Sequence, residues 1–233
     1  MSLTKAQRTM LLVGLIPLLA VVLGSAAVTV SVIRGKLQYS YSAAFAPAAD
    51  GVQITSDVST QVEPSFDGQV HVTVDGTYGA QRPEVNVSTA GKVVVVATRC
   101  PDSHCQVDLT VEVPAATAAL KAKVDGGSLN VAGVSSPLTV DVSQGSVDMA
   151  RVRSPQISVS AREGSISLFF DVAPQQVSAS STDGSITVQL PRTTAYSIDA
   201  VASQGSTDLS VPNDPTATHR LRLRSSYGSI TVQ

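Results

Sequence analysis

Gly164-Ser-Ile-Ser-Leu168, Gly184-Ser-Ile-Thr-Val188 and Gly228-Ser-Ile-Thr-Val232 repeat one phrase. It returns more loosely as Gly127-Ser-Leu-Asn-Val131, Gly145-Ser-Val-Asp-Met149 and Gly205-Ser-Thr-Asp-Leu209. Successive glycines lie 18, 19, 20, 21 and 23 residues apart, a period of stacked repeats. Counted from the glycine, small or apolar residues recur at −7, −5, −3, +2 and +4: Ile157, Val159, Ala161, Ile166 and Leu168 around Gly164, and Leu221, Leu223, Ser225, Ile230 and Val232 around Gly228. Steps of two describe two strands that each bury one face. The five-residue step between −3 and +2 shifts the phase, and a bend at the glycine, using φ angles closed to other residues, returns both strands to one core. A single coil of this kind cannot cover its own apolar face. Stacking covers it, and pairing between coils satisfies the backbone. The expected fold is all-β: a β-solenoid of about six two-strand coils over residues 118–233.

The connectors between coils all carry proline (Pro137, Pro155, Pro174, Pro191, then Pro212 and Pro215), which marks where strand pairing stops. Upstream, Val70-His-Val-Thr-Val74, Lys92-Val-Val-Val-Val96 and Val107-Asp-Leu-Thr-Val-Glu-Val113 alternate without the strict phrase. Residues 51–117 are therefore expected to form an irregular β region that caps the stack, and residues 34–50 a linker.

Residues 1–9 are polar, with Lys5 and Arg8, and Met10–Ile33 carries no charge. Such a run of 24 residues is long enough, at ~1.5 Å per residue, to cross a bilayer. One reading is a signal peptide cleaved near Ser25-Ala26-Ala27; the other is an uncleaved transmembrane helix over residues 10–33. The anchor is adopted because Val28-Thr-Val-Ser-Val-Ile33 prolongs the apolar run. The two cysteines, in Cys100-Pro-Asp-Ser-His-Cys105, can close a small disulfide ring in an oxidising compartment. Free thiols, or a metal site using His104, are the alternatives; the metal lacks a full ligand set, since His71 and His219 stand in unrelated segments. The topology that follows is a short cytoplasmic tail with everything after residue 34 outside the cell membrane. A net charge of −2 argues against nucleic-acid binding.

The Val-Glu-Val-Pro114 phrase after the cysteine pair, followed by the Gly-Ser coils, resembles the bacterial "putative adhesin" domain family of unknown function. The resemblance spans roughly residues 50–233. It implies a cell-envelope location and adhesion or envelope-stress roles, and it brings no catalytic residues.

Several columns invite chemistry. Ser stands at +1 in every copy (Ser128, Ser146, Ser165, Ser185, Ser206, Ser229) without an adjacent His and acid, so a ladder of hydroxyls is expected rather than nucleophiles. Asp148 and Asp208 share the +3 column three copies apart, on the order of 14 Å, too far for a glycosidase pair. Glu163 and Asp183 share the −1 column in adjacent copies, flanked by Gln144 and Gln204, a polar ladder that could hold a cation or a sugar. Arg220, Arg222 and Arg224 face outward on the last copy, where they either block edge-to-edge pairing, favouring a monomer, or capture an anion. No cofactor is indicated. The expected function is a membrane-anchored, non-enzymatic binding, adhesin-like or scaffolding module. Possible partners are a cell-wall polymer, a peptide or an envelope protein. An envelope-stress accessory that signals through a membrane partner is the alternative, and a wall-polysaccharide enzyme the third reading.

Overall fold

The computed structural model describes residues 36–233. The expected transmembrane helix, residues 10–33, and the tail before it lie outside them. Among the described residues no helix is long and apolar enough to cross a membrane.

Alternation turns into strands wherever valine, isoleucine and threonine dominate. The N-terminal region gives β1 (Leu37–Phe45), β2 (Gly51–Ser56), β3 (Thr60–Ser65), β4 (Val70–Tyr78), β5 (Glu84–Ala90), β6 (Val93–Arg99) and β7 (Gln106–Pro114). The Gly-Ser copies then give strand pairs: β8 (Leu120–Val124) with β9 (Leu129–Ala132), β10 (Leu138–Gln144) with β11 (Val147–Val152), and β12 (Gln156–Glu163) with β13 (Ile166–Phe170). They continue with β14 (Gln176–Asp183) and β15 (Ile186–Gln189), β16 (Tyr196–Gln204) and β17 (Thr207–Leu209), and β18 (His219–Tyr227) and β19 (Ile230–Val232). Leu37–Phe45 is thus a strand, where a linker was expected. Its alternating Tyr39 and Tyr41 turn inward, and Tyr39 meets Tyr78 edge-on.

Two sheets face each other across the core. The first runs β1-β4-β7-β3-β9-β11-β13-β15-β19-β17, and the second β16-β18-β14-β12-β10-β8-β2-β6-β5. Neighbouring coils pair in parallel and in register, so Ile166 lies opposite Val147 and Ile186. The capping strands β4 and β5 run antiparallel to their neighbours β7 and β6. In five of the six copies the +2 and +4 residues are buried as the alternation requires: Ile166, Ile186, Val188, Ile230 and Val232, for example, show no exposure.

The stack does not follow chain order. The coil β18/β19 is inserted between β14/β15 and β16/β17. At the other end β2/β3 is inserted between β6/β7 and β8/β9. The reason for the first exchange is in the fifth copy, whose +2 and +4 residues are Thr207 and Leu209. Both are exposed. A coil with threonine facing the core tolerates the end of a stack better than its middle, whereas Ile230 and Val232 gain from cover on both sides. The widest glycine spacing, 23 residues, supplies the chain that reaches back.

Candidate functional site

The bend edge is built by the glycines. Gly145, Gly164, Gly184 and Gly228 all have positive φ, and a Cβ on Gly164 would run into the carbonyl of Gly145 in the next coil. Only hydrogen fits between stacked bends. Beside them the +1 serines form a partial ladder: the Ser229 and Ser206 amides donate to the hydroxyls of Ser185 and Ser229 at 3.2 and 3.3 Å. These bonds tie neighbouring bends to one another.

In the −1 column Glu163 is flanked by Gln144 and Asp183, as the repeat predicts. Gln204, however, does not flank Asp183. Because the sixth coil is inserted, Tyr227 pairs with Asp183 and Gln204 follows it. Glu163 and Asp183 are exposed, and among the described residues no three His, Cys, Asp or Glu side chains gather as metal ligands would.

Cys100 and Cys105 form a disulfide across a Cα separation of 6.0 Å. Both thiols are therefore committed to that bond. Asp102, within the ring, gathers backbone donors: its carboxylate accepts from the amides of His104 at 3.0 Å, Ala80 at 2.6 Å and Gly79 at 3.1 Å. The His104 and Ala80 amides hold its pKa down to about 2. The ring is thereby tied to the chain after β4.

Arg220, Arg222 and Arg224 do not lie on an open edge. Their strand has β14 on one side and β16 on the other, so they cannot block self-association there. Arg224 bonds the Asp199 carboxylate and its carbonyl, and Arg222 stands 3.9 Å from the same carboxylate. The Arg224 bond holds Asp199 below its ordinary pKa. The edge is protected by a residue the sequence did not single out. Asn213, in the connector from β17 to β18, accepts from the Ile198 amide at 2.9 Å and donates to the Ile198 carbonyl at 3.0 Å. The Asp214 amide donates to the Tyr196 carbonyl at 2.9 Å. Side-chain amide capping of an edge strand replaces the missing neighbour.

What remains is the outer face of the second sheet. Its columns run Lys121, Thr139, Ser158, Ser178, Arg222, Asp199 and, one pleat over, Gln156, Gln176, Arg220, Ser197. Short hydroxyl and amide side chains lie between Lys121 on one side and Arg220 and Arg222 on the other, with Asp199 and Ser197 beyond the arginines. Two shallow cavities of about 270 and 240 Å³ open on this face, and both are lined by Gln176 and Ser178. The first sheet presents the opposite sign: Glu63, Asp108, Glu112, Asp148 and Asp208 alternate with its inward residues.

These features define a two-sheet parallel β-solenoid with a capped edge, an acidic first face and a second face of mixed charge with an arginine row on β18. The chain belongs to the Toastrack DUF4097 family, which matches residues 87–233, a domain family of unknown function. None of the curated proteins matches it. A solved structure described as a putative cell adhesion protein from Clostridium sporogenes is similar over 84% of this chain and 99% of that one, at 11% identity and a TM-score of 0.52. Another, described as a putative adhesin from Bacteroides fragilis, covers 84% of this chain and 97% of its own at 14% identity, with a TM-score of 0.41. At 11% identity the Clostridium sporogenes likeness is one of fold.

Proposed function

We propose that this chain is a membrane-anchored, extracytoplasmic β-solenoid that works without catalysis, as an adhesin-like binding or scaffolding module of the bacterial cell envelope. The observation that carries the reading is the repeated polar surface. A rigid parallel frame displays ladders of short polar side chains, acidic on the first sheet and of mixed charge on the second, and its carboxylates are dispersed along those ladders instead of converging on a cleft. Such a frame presents repeated contacts to a long or repeated partner. The disulfide supports an oxidising compartment, the uncharged run Met10–Ile33 supports the anchor, and the adhesion wording attached to the Clostridium sporogenes structure agrees with the role. The experiment is co-sedimentation of the purified full chain, in neutral detergent, with isolated bacterial envelopes stripped of the native protein. Saturable retention is expected. Absence of retention, or release of soluble sugar that Glu163→Gln abolishes, would overturn a non-enzymatic binding role.

A further inference from the structure

We propose that the trough on the outer face of the second sheet, from Lys121 in β8 to Arg220 and Arg222 in β18, is the docking surface for one extended anionic polymer chain, of the phosphate- or carboxylate-bearing glycan kind. The inference rests on the binding-module reading and names its partner class.

The geometry sets the ligand's length. Lys121 and Arg222 are separated by β10, β12 and β14, four strand steps or roughly 19 Å. A single small anion cannot reach both. The two cavities share Gln176 and Ser178, so the floor is continuous between the basic ends. It is made of side chains too short to rise to the level of Lys and Arg. A chain can lie along it, with sugar hydroxyls against Ser158, Ser178 and Gln176. A flat bilayer would rest on the basic ends and leave the floor empty, and the trough presents no aromatic side chain to the interface of a membrane.

Charge sets the ligand's sign. Asp199 is engaged by Arg224, leaving Arg222, whose side chain is 72% exposed, only a distant share of it. Lys121 and Arg220 have no ion-pair partner among the described residues. The acidic first sheet repels the same polymer, and on the mixed second sheet the stretch from Lys121 to Arg220 and Arg222 is lined by a single carboxylate, Asp199, already engaged by Arg224, so a chain of net charge −2 still offers a polyanion one attractive stretch.

The test uses the full chain in neutral detergent and calorimetric titration with linear polyphosphate and with polygalacturonate. Dextran, orthophosphate and phosphatidylglycerol vesicles are the comparison probes. Lys121→Ser/Arg220→Ser should weaken polymer binding about tenfold or more and lower the salt slope by roughly 1.4–1.8, two contacts at about 0.7–0.9 each. Lys92→Ser/Arg192→Ser removes equal charge elsewhere and should change affinity less than about twofold. Ser158→Tyr should fill the floor and weaken polymer binding with the salt slope kept. Any of four results overturns the proposal: equal loss in the control variant, wild-type affinity in Ser158→Tyr, orthophosphate binding as tightly as polymer, or vesicles binding where polymer does not. Envelope retention that persists in the Lys121→Ser/Arg220→Ser variant would remove this surface and leave the binding-module reading standing. Failure of wild type with both envelopes and polymer would remove both.

Discussion

Ile230→Ala and Thr207→Ala are the pair of substitutions that tests the exchanged order of the last two coils. Both residues occupy the +2 position and they are paired in register. If coils stacked in chain order, β16/β17 would be interior and β18/β19 terminal. In the structure Ile230 has no exposure, with Ile186 on one side and Thr207 on the other, and Thr207 is exposed. Ile230→Ala deletes three buried carbons, about 2.4 kcal/mol at ~0.8 kcal/mol each. With the residual cavity the cost comes to about 3 kcal/mol. A described region of nearly 200 residues loses about 2–4 °C per kcal/mol, so the melting midpoint should fall by about 6–12 °C. Thr207→Ala removes an exposed hydroxyl and methyl and should stay within about 0.5 kcal/mol, a shift of 2 °C or less. Calorimetric or circular-dichroism melts of the two variants supply the numbers. A large drop for Thr207→Ala with a small one for Ile230→Ala would restore chain-order stacking and refute the insertion.

Gly164→Ala should cost more than about 3 kcal/mol in the same melts, because positive φ and the Gly145 carbonyl both exclude a Cβ. Gly68→Ala, with positive φ but open space around it, should cost only about 1–2 kcal/mol. Asn213→Ala uncaps Ile198 and should lower stability by about 1–2 kcal/mol. It should also shift sedimentation toward dimers or longer assemblies through the bared β16 edge, and a strictly unchanged sedimentation profile would count against the cap. The folded pKa of Asp102, about 2 against an ordinary 3.8, is depressed, so its stabilisation is complete above 3.8 and is lost as pH falls toward 2. Thermal midpoints should decline with acid across that window and decline less in Asp102→Asn, with Asp67, also held near 2, supplying a share that remains. On intact cells, an impermeant thiol reagent should label Cys100 and Cys105 only after an external reductant. Labelling without reduction and only after lysis would place the domain inside.

The inward register was legible because it is unforgiving: a slip of one residue at Ile186 would expose it and bury Thr187, and valine and isoleucine at alternate positions leave no second solution. The bends were legible for the same reason, since Gly-Ser marks each phase shift. The order of coils was not. Every step in a parallel stack has the same spacing, so β14 accepts either β16 or β18 by geometry alone, and the decision rests on Thr207, on Asp199 placed to meet Arg222 and Arg224, and on a last glycine spacing two residues longer than the one before it. Residues 37–45 read as a spacer because Ser and Ala dilute the signal, although Tyr39, Tyr41 and Phe45 keep the alternation of a strand. Asn213-Asp-Pro215 reads as an ordinary turn, and nothing local says that its amide reaches Ile198. The trough is least legible of all. Lys121 and Arg220 share a surface only after four strand steps are laid down between segments remote in the chain.

Insertion of β18/β19 also sets a schedule for vectorial synthesis. The coil β16/β17 leaves the ribosome before its neighbour exists, while the edge it will never occupy, that of β14/β15, stands open. Pairing there would be immediate and local, at the separation of about twenty residues found between earlier coils, whereas the native contact from Ser229 to Ser185 spans 44. The nascent chain therefore meets a fast wrong partner before the slow right one. Thr207 at +2 makes the early match poor in apolar contact, and Asp199 finds no arginine on β14, only Ser178 and its neighbours. A weak early match can dissociate and be displaced when Leu221, Leu223, Ile230 and Val232 arrive. Replacing Thr207 with isoleucine would strengthen the premature pairing and slow refolding, even if it left the finished stack no less stable.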